Sequence, residues 1–244
     1  MPDLASTVKR AYATIARGAG RALTKIKVLP ADPPPRTKRL RHWAFSLTRA
    51  HDSLGISELD VPWWTYRAID AVEQFITERR RHGDVRAFEW GSGASTIWLA
   101  RRVTRVHSVE HHRGFGEMIQ ARLGSEYPNA ALEIVEPQPS NNPVIGSRKE
   151  GHGGLDFAAY VAFIDRVAPQ HGPFDVIVVD GRAREACLAA ALPHLAPGGI
   201  VVFDNTRRRR YRDAIAALPV AETRYDGLTP TLPYPDRTSV ITAA

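Results

Sequence analysis

Residues 87–103 have the sequence AFEWGSGASTIWLARRV, in which an apolar segment leads through a glycine-rich turn into a helical pattern. The turn places Gly91 and Gly93 among small hydroxyl residues. A strand, a glycine turn and a helix in this order are typical of the corner of a parallel α/β sheet where a ligand is bound. This stretch therefore indicates the fold class and the place of a ligand.

The rest of the chain repeats the alternation of strand and helix patterns. Apolar runs predict strands at 85–90, 106–111, 131–137, 174–181 and 198–205. Two more strand patterns, at 220–225 and 237–243, follow one another without a helix between them. We therefore expect a parallel sheet with helices on both faces and an antiparallel strand at its edge. The polar loop at 138–156 is long for a compact domain, and such loops often carry function.

The charge of the chain is concentrated at one end. The 244 residues carry a net charge of +7, but residues 1–42 hold ten basic and two acidic side chains, so their net charge is +8 and that of the remainder is −1. A nearly neutral body does not have the basic face of a nucleic-acid-binding domain. We therefore expect no nucleic-acid partner.

The basic segment predicts an N-terminal arm. Apolar residues at 4–28 have roughly helical spacing, and the prolines of 31–37 would end any helix there. We predict a basic helical arm with a Pro-rich linker at 1–40 and one folded domain at 41–244. Two interpretations of the arm stay open: a solvated segment, or an amphipathic helix that docks on a partner or on an anionic membrane in peripheral contact.

The composition predicts a cytoplasmic protein. No apolar run is long enough to span a bilayer, the N-terminus has no apolar core of a secretory signal, and Cys187 is the single cysteine. The pattern around Cys187 favours a small buried side chain. The oligomeric state is left open by the sequence.

Acidic residues end most of the predicted strands. These residues are Glu89, Glu110, Asp180 and Asp204, and Asn205 follows the last of them. The carboxyl ends of parallel strands meet at one edge of a sheet, where ligands bind. The repeated acid at this edge therefore predicts a binding site.

Three ligand classes were compared for the glycine turn. A dinucleotide site has a third glycine where this chain has Thr96, and a nucleoside triphosphate loop has a Gly-Lys-Ser/Thr sequence that is absent here. S-adenosylmethionine suits the turn better, because an acid at Glu89 would meet its ammonium and the hydroxyls of Ser92, Ser95 and Thr96 would meet its carboxylate. Glu110 is placed to accept hydrogen bonds from a ribose.

Four motifs resemble those of the class I S-adenosylmethionine-dependent methyltransferases. They are EWGSGAST (89–96), SVEHH (108–112), FDVIVVDGRAR (174–184) and LAPGGIVVFDN (195–205), and the resemblance covers about residues 60–244. It implies an α/β fold, a Rossmann-like doubly wound sheet of seven strands with an antiparallel last strand. It also implies that the cofactor is bound by Glu89, Gly91, Ser92, Gly93, Ser95, Thr96, Glu110, His111 and Asp180.

A narrower resemblance is to the metal-dependent O-methyltransferases of the catechol and caffeoyl-CoA type. It implies a Mg²⁺ ion held by Asp180, Asp204 and Asn205. This chain departs from the pattern after Asp180, where the expected lysine base is replaced by the stretch 181–184. Arginine cannot act as the base, so Arg182 is assigned to an anionic group of the substrate. The alternative for Asp204 and Asn205 is capping of the next helix.

The sequence therefore predicts an S-adenosylmethionine-dependent O-methyltransferase that acts on a small-molecule or glycan-like acceptor. Asp180 and Arg182 are its expected catalytic residues, and His111, His112 and His152 are further candidates for a base. The main alternative is a non-catalytic protein of the same fold that docks through its basic arm. A nicotinamide-dependent oxidoreductase is the second alternative, and Thr96 disfavours it.

Overall fold

The computed structural model describes residues 32–49, 53–124 and 126–244. The predicted helix at 4–28 lies outside these residues, so the arm stays a prediction. No helix within the described ranges is long and apolar enough to cross a membrane.

Seven strands form the main sheet, and two short strands pair outside it. Their order in the main sheet is β3-β2-β1-β6-β7-β9-β8. All neighbouring pairs are parallel except those of β9, which runs antiparallel to both β7 and β8. The predicted doubly wound sheet with an antiparallel last strand is confirmed. The strands are β1 Arg86–Trp90, β2 Arg105–Glu110, β3 Ala130–Ile134, β4 Gln138–Pro139, β5 Leu155–Asp156, β6 Phe174–Val179, β7 Leu195–Asp204, β8 Val220–Gly227 and β9 Asp236–Ala243.

Helices cover both faces of this sheet. The helices of the described residues are α1 Arg39–Ser46, α2 Ser53–Glu58, α3 Tyr66–Arg80, α4 Ala94–Ala100, α5 Arg113–Leu123, α6 Ala158–Val161, α7 Phe163–His171, α8 Arg184–Ala191 and α9 Arg209–Ala216, with 3₁₀ turns at Leu47–Arg49 and Leu192–His194. The strand β6 is buried along its whole length, as expected for a central parallel strand. The two apolar layers pack around Trp64 and Trp98 on one face and around Phe88 and Phe163 on the other.

Several boundaries differ from those that the sequence predicts. Pro62 and the helical spacing of the apolar residues after it predict a helix from residue 62. The helix begins instead at Tyr66, because Thr65 takes the N-cap position and its hydroxyl accepts the N–H of Ala68 at 3.4 Å. The loop at 138–156 is closed at its base by the antiparallel pair β4 and β5. Cys187 is buried, as predicted.

The predicted domain boundary after residue 40 falls inside α1. This helix is attached to the body of the domain: His42 Nδ1 lies 2.6 Å from the Tyr66 hydroxyl, and the Trp43 indole donates to the carbonyl of Leu232 at 2.8 Å. Just before the helix, Arg36 forms an ion pair with Glu73. Part of the predicted linker is therefore packed on the domain.

Two glycines let the ends of β1 and β6 meet. Gly91 has a φ of +99°, and a Cβ atom at this position would lie 3.0 Å from the backbone nitrogen of Gly181. A Cβ atom at Gly181 would lie 2.0 Å from the hydroxyl of the buried Tyr160 and 3.0 Å from the nitrogen of Gly91. The predicted glycine turn is thus one half of a close backbone contact between two strands.

We expect Gly181→Ala to lower the free energy of unfolding by about 1–3 kcal/mol, because the added methyl group must displace Tyr160 or the backbone of the turn. Gly153→Ala is the matched control, since a Cβ atom there meets nothing within 4 Å. Thermal and urea unfolding of both variants measures the difference. Equal stability of Gly181→Ala and the parent would contradict the close contact.

Candidate functional site

A cavity of about 890 Å³ opens at the carboxyl ends of the parallel strands. It brings together predicted site residues that lie up to 116 positions apart in the sequence, from Glu89 to Asn205. Ten of the predicted site residues line it: Glu89, Gly91, Ser92, Ser95, Glu110, His111, Asp180, Arg182, Asp204 and Asn205. Gly93 and Thr96 do not.

Glu89 is the buried acid at the end of β1. Its carboxylate accepts hydrogen bonds from the hydroxyls of Ser95, of Thr96 at 2.6 Å and of Ser108 at 2.8 Å. Burial raises the pKa of Glu89 to about 7, against the opposing effect of the three hydroxyls, and the charge of Asp180 adds to the rise. The cavity therefore presents an acid whose charge can change near neutral pH.

The position of Thr96 differs from the expectation that its hydroxyl meets the carboxylate of the cofactor. Its hydroxyl donates to Glu89 and accepts the backbone N–H of Gly93 at 3.0 Å, so it fixes the turn and does not face the ligand. Ser95 lines the cavity, but its hydroxyl also donates a hydrogen bond to Glu89. The serine and threonine of this turn thus hold the acid in place.

Glu110 ends β2 and remains an acceptor on the cavity wall. Its carboxylate accepts the backbone N–H groups of His111 and His112, each at 2.9 Å, and the hydroxyl of Ser92 at 3.1 Å. Burial works against ionisation, but the side chain of His111 and these donors lower the pKa of Glu110 below its usual value. Glu110 is therefore ionised at neutral pH.

Arg184 is a site residue to which the sequence analysis gave no role. It is the first residue of α8 and is 7% exposed. Its guanidinium donates to the Asp180 carboxylate at 2.6 Å, to the Asn205 side-chain oxygen at 3.1 Å and to the backbone oxygens of Asp180, Gly181 and Asp204. Asp180 directly follows β6 and Arg184 begins α8, so the pair is formed across the short turn between the two elements, and no helical spacing indicates it in the sequence.

The three predicted metal ligands lie together but do not fit a divalent ion in this arrangement. Asp180 and Asn205 each give an oxygen to Arg184. Asp204 accepts hydrogen bonds from Thr238 and from the Asn205 amide, both at 2.6 Å. Burial raises the pKa of Asp204 well above its usual value, and the nearby Asp180 adds to the rise. Arg184 therefore already binds one carboxylate oxygen of Asp180 and the side-chain oxygen of Asn205, two of the oxygens that would coordinate Mg²⁺.

The other walls of the cavity come from three loops. Residues Trp63, Leu232, Pro233 and Tyr234 form an apolar wall, and the Trp63 indole donates to the Thr231 hydroxyl at 3.0 Å. The loop 138–156 contributes His152, whose ring lies 5.8 Å from that of His111 between centroids. Burial lowers the pKa of His152, so this ring is neutral at pH 7. The long loop thus reaches the site, as predicted.

The central part of the chain matches a known protein family. Residues 88–206 match the family model described as a methyltransferase domain. A mycinamicin VI 2''-O-methyltransferase from Micromonospora griseorubida is 40% identical over 47 residues, which are 18% of this chain and 12% of that protein. The chain therefore spans only about an eighth of this relative's length.

Two solved structures are similar to this chain over most of its length, at low sequence identity. The putative methyltransferase SMU.1697c from Streptococcus mutans, in complex with SAH, has a TM-score of 0.46 at 12% identity, over 71% of this chain and 96% of that one. Cofactor-bound Rv0187 from MTB has a TM-score of 0.49 at 16% identity, over 96% and 88%. Both scores are below 0.5, so the assignment depends on the family model, which confirms the predicted resemblance.

Replacing Glu89 by Gln should change how stability depends on pH. The pKa of about 7 in the folded protein is above the ordinary value of 4.5, so the parent loses stability as pH rises through this interval and its buried carboxyl ionises. Glu89→Gln cannot ionise at this position, so its free energy of unfolding should not show this decrease. The stability of Glu89→Gln relative to the parent should therefore rise between pH 5 and 8. Urea unfolding of the ligand-free proteins measures this, with Glu133→Gln on the exposed side of β3 as control. Parallel pH curves for Glu89→Gln and the parent would contradict the assignment.

Proposed function

Because residues 88–206 belong to the methyltransferase domain family, we propose that the protein transfers a methyl group from S-adenosylmethionine to an oxygen atom of a small molecule. One observation carries this proposal: two buried acids with opposite pKa shifts, Glu89 and Glu110, flank a glycine turn in a single cavity. A cationic amino-acid end and a ribose need these two kinds of acceptor.

The cavity fits the proposed cofactor in its chemistry. Gly91 has no side chain at the point where the strands meet, so the backbone is open to a ligand. Glu89 would accept the ammonium group, and Glu110, with its carboxylate held by backbone N–H groups, would accept the two ribose hydroxyls. His111 and Phe115 line the same wall as Glu110 and would flank the adenine.

The chemistry requires positioning and one proton acceptor. S-adenosylmethionine supplies, when bound, an electrophilic methyl group on a sulfonium. The protein's part is to hold the acceptor oxygen in line with this group, which accounts for much of the rate in such reactions. Asp180 lines the cavity beside Glu89 and would orient the acceptor hydroxyl. His152, which is neutral at pH 7, is a base within the same cavity.

The choice of oxygen and of a small acceptor is supported by one short similarity. The matching relative is a 2''-O-methyltransferase by its name, and it shares 47 aligned residues with this chain. The apolar wall at Trp63 and Leu232 stands opposite the acids and suits the carbon skeleton of a small molecule. These features favour an enzyme over a protein that only docks through its arm, for which the described residues offer no further support.

We propose that no divalent metal takes part, because Arg184 already occupies the oxygens of Asp180 and Asn205. The guanidinium supplies a fixed positive charge beside the acceptor position. It cannot exchange or dissociate, so the site differs from one in which Mg²⁺ lowers the pKa of the substrate hydroxyl.

Calorimetric titration with S-adenosylhomocysteine tests the cofactor assignment. We expect saturable binding that Glu110→Gln weakens by about ten-fold, because hydrogen bonds to a charged acceptor are worth about 1.5–3 kcal/mol. Glu133→Gln, at an exposed position on β3, should bind like the parent. Failure of the folded parent to bind would favour the docking protein, and equal affinities of parent and Glu110→Gln would refute the ribose contact.

The absence of a metal role is tested with Mn²⁺ as a paramagnetic probe. Water-proton relaxation should show no stoichiometric Mn²⁺ site, with or without S-adenosylhomocysteine, and a chelator should leave the affinity for this ligand unchanged. The reason is that Arg184 and Thr238 already satisfy the candidate oxygens. A saturable Mn²⁺ signal that Asp204→Asn abolishes and Glu133→Gln preserves would contradict the proposal.

A further inference from the structure

A second recess, rich in arginine, adjoins the main cavity behind the turn at 181–184. We call it the basic recess. Its charged lining consists of one acid, Glu185, and six basic side chains: Arg148, Lys149, Arg182, Arg184, Arg208 and Arg210. Arg184 is neutralised by Asp180. The other five basic side chains come from the segments that follow β6 and β7 and from the loop 138–156.

Tyr211 organises one side of the basic recess. Its ring is buried, and the guanidinium carbons of Arg210, Arg208 and Arg184 lie 4.7, 5.7 and 5.7 Å from the ring centroid. The Tyr211 hydroxyl accepts a hydrogen bond from Arg210 at 2.9 Å. Contacts with an aromatic ring position cations without neutralising them. Three guanidinium groups are therefore gathered around one uncharged side chain.

Two of these cations have no carboxylate partner. Among the residues that the structure describes, no acid lies within 4.0 Å of Arg182 or Arg208, and Arg210 has only Glu185 at 3.6 Å. The Nε atoms of Arg182 and Arg210 are buried without a hydrogen-bond partner. Burial and the neighbouring Arg184 lower the pKa of Arg182. A partly buried positive charge is costly unless an anion compensates it.

Two other arginines of the run at 207–210, Arg207 and Arg209, lie outside the basic recess. Arg207 is paired with Asp226 at 3.0 Å, and the largely exposed Arg209 with Asp213 at 3.7 Å. Neither of them lines the main cavity or the basic recess. Within the run at 207–210, Arg208 is therefore the arginine for which the described residues provide no carboxylate within 4.0 Å, and it faces the recess.

Arg182 and Arg208 line the main cavity as well as the basic recess. In the main cavity they stand beside Asp180. Burial raises the pKa of that acid, and the positive charges of Arg184, Arg182 and Arg208 oppose the rise. An anion held by these two side chains would therefore be within reach of a ligand that extends to Asp180.

The basic recess itself is narrow, about 20 Å³, so an anion has room only where its edge opens into the main cavity. We propose that this shared edge, lined by Arg182 and Arg208, binds a phosphate or carboxylate group of the methyl acceptor, so that the substrate is an anionic small molecule with a free hydroxyl. This proposal rests on the proposed function. Planar guanidinium groups bind such oxyanions through paired, charge-assisted hydrogen bonds. The anion would fix one end of the acceptor while its hydroxyl is presented at Asp180.

Inorganic phosphate is the probe for this site. We expect it to bind the protein saturated with S-adenosylhomocysteine, as measured by calorimetry in chloride buffer of constant ionic strength. Arg208→Ala should weaken this binding by about ten-fold or more, because it removes a charge-assisted contact, and Arg208→Lys should restore part of it. Arg209→Ala is the matched control, since its side chain is paired and outside both cavities.

The outcomes separate this proposal from the proposed function. Binding of S-adenosylhomocysteine is measured first, and its loss would refute the proposed function alone. Phosphate binding that is absent from the loaded protein, or is weakened equally by Arg209→Ala and Arg208→Ala, would refute the anion site. Competition between phosphate and S-adenosylhomocysteine would overturn it as well, because the basic recess would then hold the cofactor's own carboxylate. Circular dichroism of each variant excludes misfolding, and Arg182→Gln provides a second test at the same site.

Discussion

The guanidinium of Arg184 lies buried where β6 and β7 end, and the acidic side of the site depends on it. It donates to side-chain and backbone oxygens of both strand ends, so that Asp180 and Asn205 keep fixed orientations. Removing a buried cation would leave several acceptors unsatisfied at once. The same contact takes the oxygens that a divalent ion would use. Arg184 thus holds the ends of β6 and β7 in place and also provides the positive charge at this position.

The site has two electrostatic halves. Glu89, Asp180 and Asp204 stand at strand ends, and burial raises the pKa of each of them. Arg182 and Arg208 stand next to Asp180, where the main cavity meets the basic recess. In the proposed function, a cationic methyl donor meets the acids and an anionic acceptor meets the arginines. Electrostatic complementarity of this kind sets the orientation in which the two substrates enter.

The fold and most of the site could be predicted from the sequence because both follow local rules. Alternating apolar runs define parallel strands, and acids at their ends must meet at one edge. What local rules could not predict was how the side chains share their hydrogen bonds. Thr96 was expected to contact the ligand and instead holds Glu89, while Arg184 was given no role and holds Asp180. Such partners depend on distances between elements, which a single sequence does not contain.

The two halves of the site should respond differently to pH. Glu89 has a pKa of about 7 in the ligand-free protein, so its charge depends on what is bound. An ammonium group beside it stabilises the carboxylate, and the cofactor must therefore displace a proton when it binds below this pH. Arginines keep their charge throughout this range. Lower pH thus weakens the binding of the methyl donor and leaves the arginine contacts of the acceptor in place, so proton release identifies the half of the site that a ligand occupies.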